Sequence, residues 1–193
     1  FLRESIPEQW ALRVQHASEI TETAQDGTWL YKNRKTHSQA DWKKLPLGGI
    51  NAYDAQIFID WLSSAGKLYG ARYCTEHEWE RAARGADGRV FPHGNRMSPD
   101  DANIDETYDR RGFGPDEVGA HPASESPFGV FDMAGNVWEW TRSSRTPDEI
   151  IIRGGAWYHA KLTEHVSNRE IVEPNTRGVH IGLRVCAAYE VQS

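Results

Sequence analysis

With 193 residues and a formal charge of -6, from 22 lysines and arginines against 28 acids, the chain has the length of one domain able to bury a substantial core. That charge balance leaves no basic stripe, which excludes nucleic acid as the natural partner, and no apolar run approaches the roughly 18 residues of a membrane span. Two cysteines, Cys74 and Cys186, are too few for a disulfide framework. They read as two small buried thiols in a cytoplasmic chain, with a single long-range bridge as the alternative.

No tandem repeat, low-complexity tract or linker interrupts the sequence, so residues 1–193 read as one domain. The chain opens Phe1-Leu2-Arg3-Glu4, neither an initiator methionine nor a signal peptide, and reads as the C-terminal part of a longer polypeptide with upstream domains.

In chain order, Pro7 to His16 forms a short helical stretch, Asp26-Gly27 a turn, and Trp29-Leu30-Tyr31 a short strand. Asn51 caps a helix whose Ile57, Phe58, Trp61 and Leu62 recur at three- and four-residue spacing as a core-facing stripe, and Gly66 stops it. Thr75-Glu76-His77-Glu78 is a capping box; its helix carries Trp79, Ala82 and Ala83, ends at Gly85, and leaves both glutamates as caps and solvated surface. Breakers then follow one another from Asp87-Gly88 through Gly112-Phe113-Gly114-Pro115 to Ser126-Pro127. A structureless stretch this long needs something to tie it down, and a bound metal would serve.

The densest stretch is DMAGNVWEWT, Asp132 to Thr141. Gly135-Asn136 is a tight turn of positive φ. Alternation along a strand puts Trp138 and Trp140 on one face and Glu139 on the other, where its carboxylate and the turn carbonyls offer hard oxygen ligands for calcium. Ile150-Ile151-Ile152 is a buried strand, Arg153-Gly154-Gly155-Ala156-Trp157 a close backbone approach, and His180 to Ala187 the last strand. Early helices and late short strands indicate an α+β fold.

The 132–141 motif, followed by Arg153-Gly154-Gly155-Ala156-Trp157 and Ile181-Gly182-Leu183-Arg184, and preceded by Tyr73 to Glu80 and Ala82-Ala83-Arg84-Gly85, resembles the formylglycine-generating enzyme (sulfatase-modifying factor) family from about Leu45 to Val185. The resemblance implies a C-type-lectin-like fold low in regular secondary structure. It also implies two structural calcium sites: Asn103 and Ile104 completed by Asp109, with Asp116 as the alternative, and Gly135, Asn136, Val137 and Glu139. Oxidase activity in the family needs two copper-binding cysteines a few residues beyond the glycine–tryptophan motif. Here Tyr158 to His165 contains none, and His159 and Glu164 sit near those positions. Neither copper nor iron is therefore expected.

The expected function is a non-catalytic recognition domain for a protein or small-molecule ligand. It is similar to family modules of bacterial signalling proteins, such as Ser/Thr kinases, or to diversity-generating retroelement variable proteins. Trp157, Tyr158, His159, His165, Asn168, Arg169, Asn175 and Arg177 mix aromatic, cationic and amide groups as an adaptable binding surface does. The alternative is a metal- or oxygen-dependent oxidoreductase, formylglycine-generating or sulfoxide-synthase-like, with a centre rebuilt from His159, Glu164 and His165. A third reading places Cys74 and Cys186 on one metal.

Overall fold

The computed structural model describes residues 21–26, 28–146 and 148–188; the helical stretch expected at Pro7 to His16 lies outside them. The first strands, β1 (Thr21–Thr23), β2 (Thr28–Tyr31) and β3 (Gln39–Asp41), form an antiparallel meander, and β2 contains the expected Trp29 to Tyr31 strand.

Helix α1 (Ala52–Ser64) begins as its sequence predicts. The Asn51 side chain accepts from the Asp54 N–H at 2.9 Å and the Asp54 carboxylate accepts from the Asn51 N–H at 3.1 Å. Its buried face differs from expectation: Ala52, Ala55 and Ile59 are buried, whereas Ile57 is 57% exposed and Phe58, Trp61 and Leu62 lie at the flanks. The reason lies in the partner surface. Trp138 and Trp140 belong to the same core cluster as Ala52, Ala55 and Ile59, and the bulk of two indoles is met by two alanines and one isoleucine on the helix laid over them. The Trp140 indole N–H donates to the Ile50 carbonyl at 3.1 Å, fixing the approach to the helix.

Helix α2 (Glu76–Arg84) has the predicted capping box, and Gly85 ends it at φ 70°. Glu78 is the third-residue partner of the Thr75 cap, accepts the Thr75 N–H at 2.9 Å, and pairs with Arg72. Glu76, read from sequence as surface, is buried instead, with Arg169 as its counter-ion.

The main sheet runs β7 (Glu170–Ile171), β6 (Ile150–Arg153), β5 (Trp138–Arg142), β8 (Ile181–Leu183). The β5–β8 contact is parallel and the others antiparallel. Alternation along β5 falls as predicted: both tryptophans enter the core under α1, while Glu139 turns away toward α2. There it accepts the Trp79 indole N–H at 2.6 Å, and Arg184 N–H groups at 2.8 and 2.7 Å. The turn before β5 has the expected backbone, with Gly135 at φ 72° and Asn136 at φ 64°. A Cβ on Gly135 would lie 2.4 Å from the Asn103 carbonyl oxygen, so glycine is required there for close approach as well as conformation.

A second, two-stranded ladder corrects the cysteine reading. Strand β4 (Arg72–Tyr73) pairs antiparallel with β9 (Val185–Cys186), which brings the Cys74 and Cys186 α-carbons to 4.9 Å, and the sulfurs are bonded. The two residues are a cross-strand disulfide rather than free thiols, and the cytoplasmic expectation loses the ground it rested on. Among the described residues no helix is long and apolar enough to cross a membrane.

The disulfide joins positions 112 residues apart, a long loop to close in the unfolded chain. The Cys74→Ser/Cys186→Ser double variant is therefore expected to lose about 2–5 kcal/mol of stability in urea denaturation. Reductant should shift the wild-type curve the same way and leave the variant's unchanged.

Candidate functional site

Gly154 and Gly155 leave β6 with φ of 98° and 76°. A Cβ at Gly155 would meet Glu164 Oε2 at 1.8 Å, so only glycine lets this carboxyl pass beneath the backbone. Glu164 is fully buried, and Oε2 accepts the Gly135 N–H at 2.7 Å, so the side chain ties the 157–165 loop to the turn before β5. Burial pushes its acid well above the usual carboxyl range, against the opposing pull of the Gly135 and Ala156 amides. It is a structural clamp.

The other members of the anticipated rebuilt centre lie apart. His165 packs edge-on against Phe91 at 5.2 Å, while His159 sits 3.9 Å from the Tyr158 ring and 5.5 Å from that of Trp138. Among the described residues, no group of three His, Cys, Asp or Glu side chains could hold a metal ion. With both cysteines in the disulfide, the third reading also lacks thiolates to offer copper.

The same loop does assemble an aromatic surface. Ring centroids of Phe113 and Trp157 are 5.7 Å apart, those of Trp157 and Tyr158 5.1 Å, and those of Tyr158 and His180 4.8 Å, and all four residues are half-buried. The Trp157 indole nitrogen and His159 Nδ1 are buried without a hydrogen-bond partner among the described residues. Burial lowers the pKa of both His159 and His180, which disfavours charged imidazoles in this stack. Of the eight residues expected to form the binding surface, three join this cluster: Trp157, Tyr158 and His159. The others disperse. Asn168 donates to the Thr163 carbonyl at 2.8 Å, Arg169 pairs with Glu76, Arg177 pairs with Asp54, and Asn175 is exposed. Phe113, hidden in a run of breakers, and His180, which opens the expected last strand, were not legible as members.

The expected calcium ligands are occupied differently. Asn103 is buried and its Oδ1 has no partner, which would suit a cation. Asp109, however, has an 80% exposed side chain and lies 3.9 Å from Lys35, so it does not complete a site with Asn103 and Ile104. The alternative acid, Asp116, is bound by the Arg34 guanidinium, the Tyr108 hydroxyl at 2.6 Å and His121 at 2.7 Å. Despite burial, the His121 hydrogen bond and the Arg34 charge hold it below the usual carboxylate range. Arg34 also donates to the Gly112 and Gly114 carbonyls at 2.6 and 2.7 Å, between the Tyr31 and Tyr108 rings. In the second set, Glu139 is held by Arg184 and Trp79, and the Asn136 carbonyl accepts from the Trp157 N–H at 3.0 Å. Asp109 thus lies out of reach, guanidinium groups already pair with Asp116 and Glu139, and the donor sets as placed do not fit calcium.

Residues 7–189 match the sulfatase-modifying factor enzyme 1-like domain. The inactive C-alpha-formylglycine-generating enzyme 2 of Mus musculus is 33% identical over 167 residues, a match covering 75% of this chain and 49% of that protein. The serine/threonine-protein kinase pkn1 of Chlamydia pneumoniae is 27% identical over 166 residues, covering 76% of this chain and 24% of the kinase. Treponema denticola variable protein 1 superposes with a TM-score of 0.65 at 20% identity, over 79% of this chain and 76% of its own, and so shares the fold. The chain spans about half, or less, of the length of these curated relatives. The match over 7–189, the capped helices, and the glycine–tryptophan turns place the chain in the sulfatase-modifying factor, or formylglycine-generating enzyme, family, as a divergent member without the cysteine pair beyond its paired glycines.

Proposed function

We propose that this domain is a non-catalytic recognition module whose ligand contacts the surface formed by Phe113, Trp157, Tyr158, His159 and His180. One observation carries the reading: the loop beyond the paired glycines holds no thiol, and its one buried acid, Glu164, is used to clamp the backbone. What that loop presents is a cluster of aromatic rings in edge-on and tilted contact, which supply contact area at low conformational cost. The relative named as inactive supports a scaffold retained without the oxidase activity. The kinase relative, of which the matched region covers 24%, supports a role as one part of a longer protein.

The decisive experiment incubates the purified chain with copper and a cysteine-containing sulfatase-type peptide, followed by mass spectrometry. The peptide is expected to remain unconverted; formylglycine in the product would overturn the reading. Calcium has no part in it, because Arg34 and Arg184 neutralise the acids that would bind the ion. Thermal denaturation should be unchanged by chelator or by added calcium, and a rise in Tm with calcium would restore the metal to the scaffold.

The two imidazoles that flank Tyr158, His159 and His180, make a pH signature. Both lie below the ordinary value of 6.5, so on acidification the unfolded chain takes up those protons first. The stability of the neutral forms is complete above that value and is lost as pH falls through it. His121 is shifted upward and acts in the opposite sense, so a comparison with a variant isolates the pair. Between about pH 7.5 and about pH 5 the wild-type Tm should fall more steeply than that of His159→Gln/His180→Gln.

A further inference from the structure

A cavity framed by the segment before α1, α1 itself and strand β8 shares no lining residue with the aromatic surface. It has a volume of about 500 Å³, within the range typical of small-molecule sites. Leu47 and Ile50 line it from the segment before α1, Phe58 from α1 itself, Val118 from the long loop, and Leu183 and Val185 from the last strands. These walls are apolar, yet three carboxylates and a guanidinium also line the cavity: Asp54, Asp132, Glu139 and Arg184.

The charges do not cancel. Glu139 is matched by Arg184 at 2.7 Å, and Asp54 by Arg177. Asp132 is only 9% exposed and accepts the Gly119 N–H at 2.8 Å, but no cationic side chain among the described residues lies within ion-pair distance of it. A nearly buried carboxylate facing an apolar cavity, with one direct donor and only the longer-range charges of Arg184 and His121, is incompletely compensated. Its surroundings also push its acid above the usual range, burial first, with Glu139 adding to the effect against the pull of Gly119 and Arg184. Asp132 holds a left-handed backbone at φ 59°, a conformation few non-glycine residues adopt.

We propose that this cavity is a binding site for a small organic ammonium ligand, with its charged nitrogen on the Asp132 carboxylate and its apolar body between Phe58, Leu47 and Leu183. The ammonium supplies the counter-charge that the fold leaves out, and the apolar body displaces water from walls that make no hydrogen bonds to it. A carboxylate ligand would meet two acids, Asp132 and Glu139. The site is independent of the aromatic surface and stands or falls without it.

The test titrates phenethylamine, 2-phenylethanol and 3-phenylpropionate into the chain at neutral pH, with affinity from calorimetry and location from amide chemical shifts. The amine is expected to bind most tightly and to move the Gly119 amide, which donates to Asp132. Asp132→Asn is the informative variant. Asparagine keeps the acceptor for Gly119 and tolerates positive φ, so the turn should fold, and amine affinity should fall by roughly tenfold to a hundredfold while the alcohol is unaffected. Leu183→Phe, which fills the cavity, should abolish binding of both. Equal affinity for amine and alcohol, no loss in Asp132→Asn, or shifts confined to the Trp157–His180 surface would each overturn the proposal, as would the absence of amine binding.

Discussion

A carboxylate removed from water must be met by donors, and the fold is arranged around one such encounter. Glu139 projects from β5 away from its two tryptophans and receives the indole of Trp79 from α2 and the guanidinium of Arg184 from the chain between β8 and β9. One side chain thus joins the sheet, a helix and the closing strands. Its neighbours Trp138 and Trp140 fill the opposite side under α1. The period-two alternation of a strand converts three consecutive residues into a polar anchor on one face and an apolar core on the other. The dry core cannot accept Glu139, and the polar side would leave two indoles wet; a one-residue slip in β5 would incur both costs.

The same solution recurs in the long irregular stretch. A loop of this length has many carbonyls and few ladders, and its polar groups need a common partner. Arg34 provides it, with a planar fork that bonds two carbonyls and Asp116 at once and two aromatic rings on its faces. A guanidinium can occupy a cluster of oxygens much as a hard cation would, but it is encoded in the chain and does not depend on the ion content of the surroundings.

What was legible in the sequence was local. The capping boxes at Asn51 and Thr75, the turn at Gly135-Asn136 and the facing of Trp138, Glu139 and Trp140 depend on residues within a few positions of one another, and each formed as read. What was not legible depends on distant partners. Arg34 and Asp116 are separated by 82 residues, and Cys74 and Cys186 by 112, so neither pairing leaves a spacing signature. The core face of α1 departs from the stripe that the three- and four-residue spacing of its large apolar residues predicts. The space under the helix was already filled by indoles, and alanines fit there better than Ile57. The proposed binding surface shrank for a similar reason: Arg169 and Arg177 have the composition of recognition residues, but acids from α2 and α1 hold them.

The bridge between Cys74 and Cys186 also sets how the domain would carry load. Strand β9 is two residues long and its ladder with β4 is equally short, a weak attachment under tension. The covalent link stands beside that ladder and leads to the residue just before the α2 cap. Tension applied beyond residue 186 would pass across the bridge to the base of α2, and β9 would not unzip first. In the oxidised form the domain would act as a stiff mechanical terminal, and reduction would turn its last strand into a compliant tether.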